Sequence, residues 1–444
     1  MSAGTEDNDR YEPAHGSRSI HVEHYDLDLT YRVVPNVLAG VATLTVRTRE
    51  EVREIALDLA GLTVEKVAVR GAVLTRYRHR GDKLVLRFAE EVGDGALLEI
   101  SVRYGGRPVP VRSPWGPVGW EELEEGVLVA SQPTGAPSWF PCNDRPGDKS
   151  TYRTALTVDR PFFVLAHGEL VARKERSSAT TWVYEERHPT ATYLATVQVG
   201  HYESVALGEH PVPQRVVVPV AHRAAAQRLL ARHRELMTYF TEVFGPYPFA
   251  EYSVVVTADR LEIPVEAQGM SVFGSNHLSD DDGARLVPHE LAHQWFGNSL
   301  TVDSWRHIWL NEGFASYAEW LWSEHSGGDS ADTLARTWHR RLDGAAQDLV
   351  VSDPGPERIF DDLIYKRGAL TLHALRRTLG DEAFFELLRT WTGRHRYGTV
   401  TTGQFRSLAA HRAELAGGPA LAERVDAVLT AWLDRPRLPA LPGS

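Results

Sequence analysis

The chain has 444 residues, 43% of them hydrophobic, and a net charge of −11 from 59 acidic and 48 basic side chains. That length exceeds what one core usually supports, so two domains are expected, and the acidic balance argues against a nucleic-acid partner while suiting substrates with a free amine. A single cysteine, Cys142, excludes an internal disulfide framework and fits a reducing cytoplasm, and no run approaches 18 consecutive apolar residues, so no membrane partner is expected.

Residues 1–18 carry several acids and no apolar run, and read as a disordered tail that is neither a signal nor a transit peptide. An N-terminal β domain is expected over 19–202, because apolar residues alternate with period two. They run as Tyr25, Leu27, Leu29 and Tyr31, then Ala42, Leu44 and Val46, then Ile55, Leu57 and Leu59. The pattern continues at Leu84, Leu86 and Phe88 and at Leu98, Ile100, Val102 and Tyr104, and further strands are read in TYRTALTV, FFVLAHG, ATTWVYE and YLATVQVG. Between them SQPTGAPSWFPCNDRPGDKSTY does not alternate and holds four prolines. By itself it reads as a long loop, with Gln132 solvated, Asp144 tying the loop together and Cys142 packing.

Residues 203–444 are expected to form the second domain. Leu229, Leu236, Phe240 and Val243 recur at helical spacing, which predicts one amphipathic helix over 224–244, stopped at Gly245-Pro246; His233 on it reads as a surface or core histidine. A strand-like SVVVTA leads into RLEIPVEAQGMSVFG, where Glu266 by itself reads as a surface acid.

The stretch PHELAHQWFGNSLTVDSWRHIWLNEGFASYAEW carries the chemistry. His289 and His293 are four residues apart, so on a helix both imidazoles project from one face and can share a tetrahedral ion. Glu290, beside the first of them, is placed to take a proton from water as general base. Pro288 suggests that this helix begins or kinks there, and Gly297 that it stops. A third protein ligand is required, and Glu312, 19 residues after His293 in a segment whose Leu310, Phe314, Tyr317 and Trp320 recur at helical spacing, supplies it. An HExxH pattern arises by chance often enough to need support; the second segment, amid Trp295, Trp305, Trp309, Trp320 and Trp322, provides it. Two imidazoles and one carboxylate would leave one bound zinc per chain with a single net positive charge, suited to polarising a carbonyl. His307 reads as exposed, with orienting a ligand as the alternative. Farther on, IYKRGALTLHALRRTLG places Leu372, Leu375 and Leu379 on a helix face opened by Tyr365, and helical segments follow around Phe384–Trp391 and Leu421–Trp432.

HELAHQWFGN followed by WLNEGFASY resembles the zinc aminopeptidases of the aminopeptidase N family, which also includes a leukotriene-epoxide hydrolase. The resemblance implies a multidomain α+β fold: an N-terminal β-sheet domain of saddle or sandwich type, then a thermolysin-like catalytic domain, without the family's C-terminal helical domain. It assigns His289, His293 and Glu312 to zinc and Glu290 to the base, as the spacing does. It implies further that Gln132, nine residues before Pro141, and Glu266, in the family's substrate strand, bind the substrate's α-ammonium, and that Tyr365 hydrogen-bonds the oxyanion. Ile263, Pro264, Val265 and Ala267 depart from the family's usual neighbours of that glutamate. The implied activity is hydrolysis of the first peptide bond of peptides with a free amino terminus. The alternatives are an endopeptidase or epoxide hydrolase on the same metal, or a non-catalytic peptide-binding protein, against which the presence of all five of His289, Glu290, His293, Glu312 and Tyr365 speaks.

Overall fold

The computed structural model describes residues 10–442, apart from the side chains of 280–284. It resolves into two compact units. The first comprises the chain up to Ala206 together with Gln214–Ala224 and Phe249–Asn276; the second comprises Leu207–Pro213, Ala225–Pro248 and the chain from His277 onward.

The first unit is built from sheets, as the alternation predicts. Every inward residue of the five runs from Tyr25 to Tyr104 is buried, and burial alternates along each strand, as a pleat with one face on a core requires. Seven strands pair in the order Glu169–Glu175, Ala179–Ala191, Lys149–Asp159, Ile20–Arg32, Val37–Thr48, Leu97–Gly106 and Thr63–Arg70. Ile20–Arg32 and Lys149–Asp159 run parallel and the rest antiparallel. Three further strands, Val52–Asp58, Lys83–Val92 and Leu74–Arg80, form a small antiparallel sheet.

The first unit runs a little past the expected boundary at Tyr202, to Ala206, and takes in two later segments. Glu203–Gly208, Gln214–Val218, Tyr252–Val256, Met270–Phe273 and Val265–Ala267 form a five-stranded mixed sheet in that order, with Val265–Ala267 at one edge. Val217, Val255, Ala267 and Val272 of that sheet join the same apolar core as Leu27 and Leu44, and shared burial draws these strands into the first unit.

Two further expectations change here. The tail is tied down from Tyr11, which is buried, and through Gly16 N–H to Asp58 Oδ2 at 2.8 Å and Ser17 N–H to Asn143 Oδ1 at 2.6 Å; residues 1–9 lie outside the described residues. The proline-rich segment from Ser131 to Ser150 is internal, with nearly every residue buried. Distant residues meet part of its polar groups: Cys142 and Asp58 exchange main-chain hydrogen bonds at 2.9 and 2.7 Å, and Asp144 accepts from Thr192 Oγ1 at 2.7 Å. Cys142 packs, and Asp144 ties the segment, as expected.

The second unit is helical. Its helices are α1 (Arg223–Leu229, whose first two residues belong to the other unit), α2 (His233–Phe244), α3 (Asp280–Ala292), α4 (Trp309–His325), α5 (Ala331–Asp343), α6 (Asp362–Leu379), α7 (Asp381–Arg394), α8 (Thr402–Gly417) and α9 (Pro419–Leu433). The single helix expected over 224–244 is two, because Ala231 N–H and His233 N–H bond to the third residue back, Arg228 and Leu230, and the ladder turns. His233 is buried. The sequence reading did not include α5 and α8, although both carry signals: Ala331, Ala335, Trp338 and Leu342 recur at helical spacing in α5, and α8 starts at a capping box, Thr401 with Gln404. α4 is buried continuously from Trp309 to Leu321, the pattern of a helix enclosed on all sides. Among the described residues no helix is long and apolar enough to cross a membrane.

Candidate metal centre

α3 extends farther toward the N-terminus than the sequence suggested, with Pro288 inside it and His293 as its last turn's cap. The chain leaves that turn at Gly297, whose φ of 122° suits glycine alone, and Trp295 fixes the exit by donating its indole N–H to Gly245 O at 3.0 Å. This turn holds the two imidazoles on one side. Their rings lie 4.9 Å apart.

Glu312 reaches the same point from α4. Its Oε2 is 3.6 Å from His289 Nε2 and 3.5 Å from His293 Nε2, and the three donor atoms lie within 4.8 Å of one another. These separations are too long for hydrogen bonds. They match the edge of a tetrahedron about a zinc ion, roughly 3.3 to 3.5 Å for bonds of about 2.0 to 2.1 Å.

The outer nitrogens fix the tautomers. His289 Nδ1 lies 2.7 Å from Glu319 Oε1 and His293 Nδ1 lies 3.0 Å from Phe296 O, and both of those oxygens accept, so each Nδ1 carries the proton and each Nε2 turns a bare lone pair inward. Burial alone would push the Glu312 carboxyl up; positive charge on the His293 and His289 imidazoles would hold it down at about 2, and a cation shared by the three donors would act in the same direction. The donor set fits zinc: three deprotonated ligands, buried and already converged. Glu290 is buried next to them, and its Oε2 has no hydrogen-bond partner among the described residues. Burial raises its proton affinity, with His289 and His293 pulling the other way.

The sequence reading missed Glu319. It stands seven residues after Glu312, two turns along the same helix face, and that spacing was the available signal. Arg285 at 3.4 Å and Lys366 at 3.7 Å flank its carboxylate. Burial pushes the Glu319 carboxyl up, but Lys366, His289 and Arg285 outweigh it and hold the group ionised. Glu319→Ala is therefore expected to weaken zinc binding about 10- to 100-fold, read by competition with a chelator, because His289 loses the partner that sets its tautomer. Unchanged affinity would show that the ring needs no such partner. His307, half-buried, bonds Thr402 Oγ1 at 3.0 Å.

Tyr365 enters from α6, which Asp361 caps by accepting Leu363 N–H at 2.9 Å. Its ring lies nearly parallel to that of His289 at 6.2 Å. What brings α6 so close is a crossing of two glycines: a Cβ on Gly368 would sit 2.8 Å from Gly313 Cα, and one on Gly313 would sit 2.9 Å from Gly368 Cα. Gly313 follows Glu312 and Gly368 comes three residues after Tyr365, so one point of contact registers both functional residues. In the sequence Gly368 stands out only as the glycine that closes Tyr365-Lys366-Arg367-Gly368, and Gly313 not at all, since by propensity each looks like a helix defect.

Gln132 and Glu266 both belong to the first unit. Glu266 is half-buried in the edge strand Val265–Ala267, opposite Ser271. That strand is held by Gln268, fully buried, which donates to His188 O at 3.4 Å and to Thr190 Oγ1. Gln132 is half-buried and not solvated as its isolated reading suggests; its Nε2 is buried without a partner among the described residues.

Comparison with known proteins gives one consistent result. Sequence profiles described as the peptidase M1 N-terminal domain and the peptidase family M1 domain match residues 21–194 and 229–432. An M1 zinc metallopeptidase variant from Deinococcus radiodurans, solved bound to a Tyr-Ser-Ala substrate, is 30% identical with a TM-score of 0.87, covering 98% of each chain. The unaltered enzyme is 31% identical with a TM-score of 0.85, again over 98% of each. Aminopeptidase M1-D of Oryza sativa subsp. japonica is 26% identical over 94% of this chain but only 50% of its own length. The chain spans about half the length of the curated relatives it matches.

Proposed function

The chain belongs to the peptidase M1 family, and on that premise we propose that it is a zinc aminopeptidase that hydrolyses the first peptide bond of peptides with a free amino terminus. The observation that carries the reading is the buried, converged set of His289, His293 and Glu312 with the Glu290 carboxylate beside it. Zinc held by those three residues supplies Lewis acidity toward a carbonyl and toward water. Glu290 takes the proton of the attacking water and passes it to the leaving amine; its buried setting, which raises its proton affinity, suits a group that must keep the proton between the two steps.

Tyr365 donates its phenol hydrogen to the oxygen on which negative charge develops. Glu266 and Gln132 receive the α-ammonium, Glu266 by a charge-assisted hydrogen bond. Peptide substrates are supported by the tripeptide that the Deinococcus neighbour binds. The lone buried Cys142 supports a reducing compartment such as the cytoplasm.

The test is metal-dependent turnover. Purified protein should hold one zinc per chain and cleave an aminoacyl fluorogenic amide, lose that activity after chelation, and regain it with zinc. Full turnover by protein shown to be metal-free by elemental analysis would overturn the reading.

A further inference from the structure

Arg367 follows Tyr365 by two residues on α6, so the two side chains leave the helix on nearly opposite sides. Arg367 is 2% exposed, and among the described residues no carboxylate pairs with its guanidinium. Its donors go to main-chain carbonyls. Nε donates to Trp432 O at 2.9 Å, Nη1 to Leu349 O at 3.5 Å and to Pro436 O, and Nη2 to Ala431 O at 3.4 Å, to Arg437 O at 3.3 Å and to Arg435 O.

Ala431 and Trp432 lie in the last turn of α9, where carbonyls lack helical partners and the helix dipole is negative. Burial pulls the guanidinium down only to about 10, so it stays charged at neutral pH. A buried cation without a counter-ion is tolerated only when every donor is met, so Arg367 depends on the segment 431–437, and that segment on Arg367. Just beyond, the chain is fastened twice more: Leu438 N–H donates to Gln347 Oε1 at 2.6 Å, and His339 Nε2 donates to Pro439 O at 2.7 Å.

We propose that Arg367 is a positioning residue, which ties the first turns of α6, and with them the Tyr365 phenol, to the segment 431–437. The four consecutive residues Tyr365, Lys366, Arg367 and Gly368 then serve four directions: toward His289, to Glu319, to the C-terminal segment and to Gly313. The inference rests on Tyr365 acting on the oxyanion as proposed above.

The test is a double-mutant cycle on the zinc-loaded full chain. Tyr365→Phe should lower kcat roughly a hundredfold with little change in KM. Arg367→Met should lower kcat about tenfold or more, since a misplacement near 1 Å has costs of that order, with KM within about twofold, one zinc retained, and part of the loss recovered by Arg367→Lys. Adding Arg367→Met to Tyr365→Phe should then reduce kcat by less than about threefold more, because its effect runs through a phenol already gone. Unchanged kcat in Arg367→Met, with only the Tm lowered, would overturn the proposal, as would losses that multiply in the double variant. Near-normal kcat in Tyr365→Phe would instead remove the phenol from the reaction, a failure visible before Arg367 is touched. Should Arg367→Met not fold, Gln347→Leu removes the acceptor of Leu438 N–H, which fastens the chain next to that segment, and should lower kcat by about two- to fivefold, again only while Tyr365 is present; no loss of kcat there counts against the proposal.

Discussion

Glu290→Gln should keep one zinc per chain and lower kcat by about 10² to 10⁴, the range for removing a positioned general base, while Glu312→Ala should lose the metal altogether. The glutamine amide fills the same space as the carboxylate but cannot hold a proton, and Glu290 is not one of the three converged donors. Glu312 is one of them, and it is the only anion among them, since the two imidazoles contribute neutral nitrogens. Its loss leaves two neutral ligands, which hold zinc weakly. Elemental analysis of dialysed protein separates the roles. If Glu290→Gln lost zinc while Glu312→Ala kept a full equivalent, the assignments would have to be exchanged.

Acetylating the amino terminus of a substrate should nearly abolish its cleavage. An anionic Glu266 gains a charge-assisted hydrogen bond from a free α-ammonium but faces a neutral amide once that amine is acetylated. Leaving one member of such a desolvated pair alone costs about 2 to 5 kcal/mol, or roughly 30-fold to several thousandfold in kcat/KM. Glu266→Ala should weaken the free-amine substrate far more than the acetylated one, so the gap between them narrows. The half-buried setting of Glu266, on an edge strand braced by Gln268, fits a carboxylate that keeps a fixed direction while staying reachable. Equal cleavage of the two peptides by the unaltered enzyme, or a product spectrum dominated by internal cuts, would refute the exopeptidase reading and leave the zinc chemistry standing.

The sequence by itself determined the parts of this protein that local periodicity encodes. The inward residues of the β runs, from Tyr25 to Tyr104, are the buried ones because a pleat repeats every two residues whatever surrounds it. The donors His289, His293 and Glu312 were legible for a similar reason, since a helix turn sets the first two on one face and an apolar helix carries the third. Tertiary structure alone decided what distant segments share. It drew Gln214–Val218, Tyr252–Val256 and Met270–Phe273 into the first unit, where Val217, Val255 and Val272 complete a core begun by Leu27. It buried a proline-rich stretch that reads locally as a long loop, where Asp58 and Thr192, far away in sequence, bond to Cys142 and Asp144. It gave Glu319 to His289, and it made Gly313 and Gly368 the point where α4 and α6 meet, a closeness no spacing along either helix could announce. Contacts of that kind depend on which surfaces are left to face each other after each element has formed, and a periodic pattern describes one surface at a time.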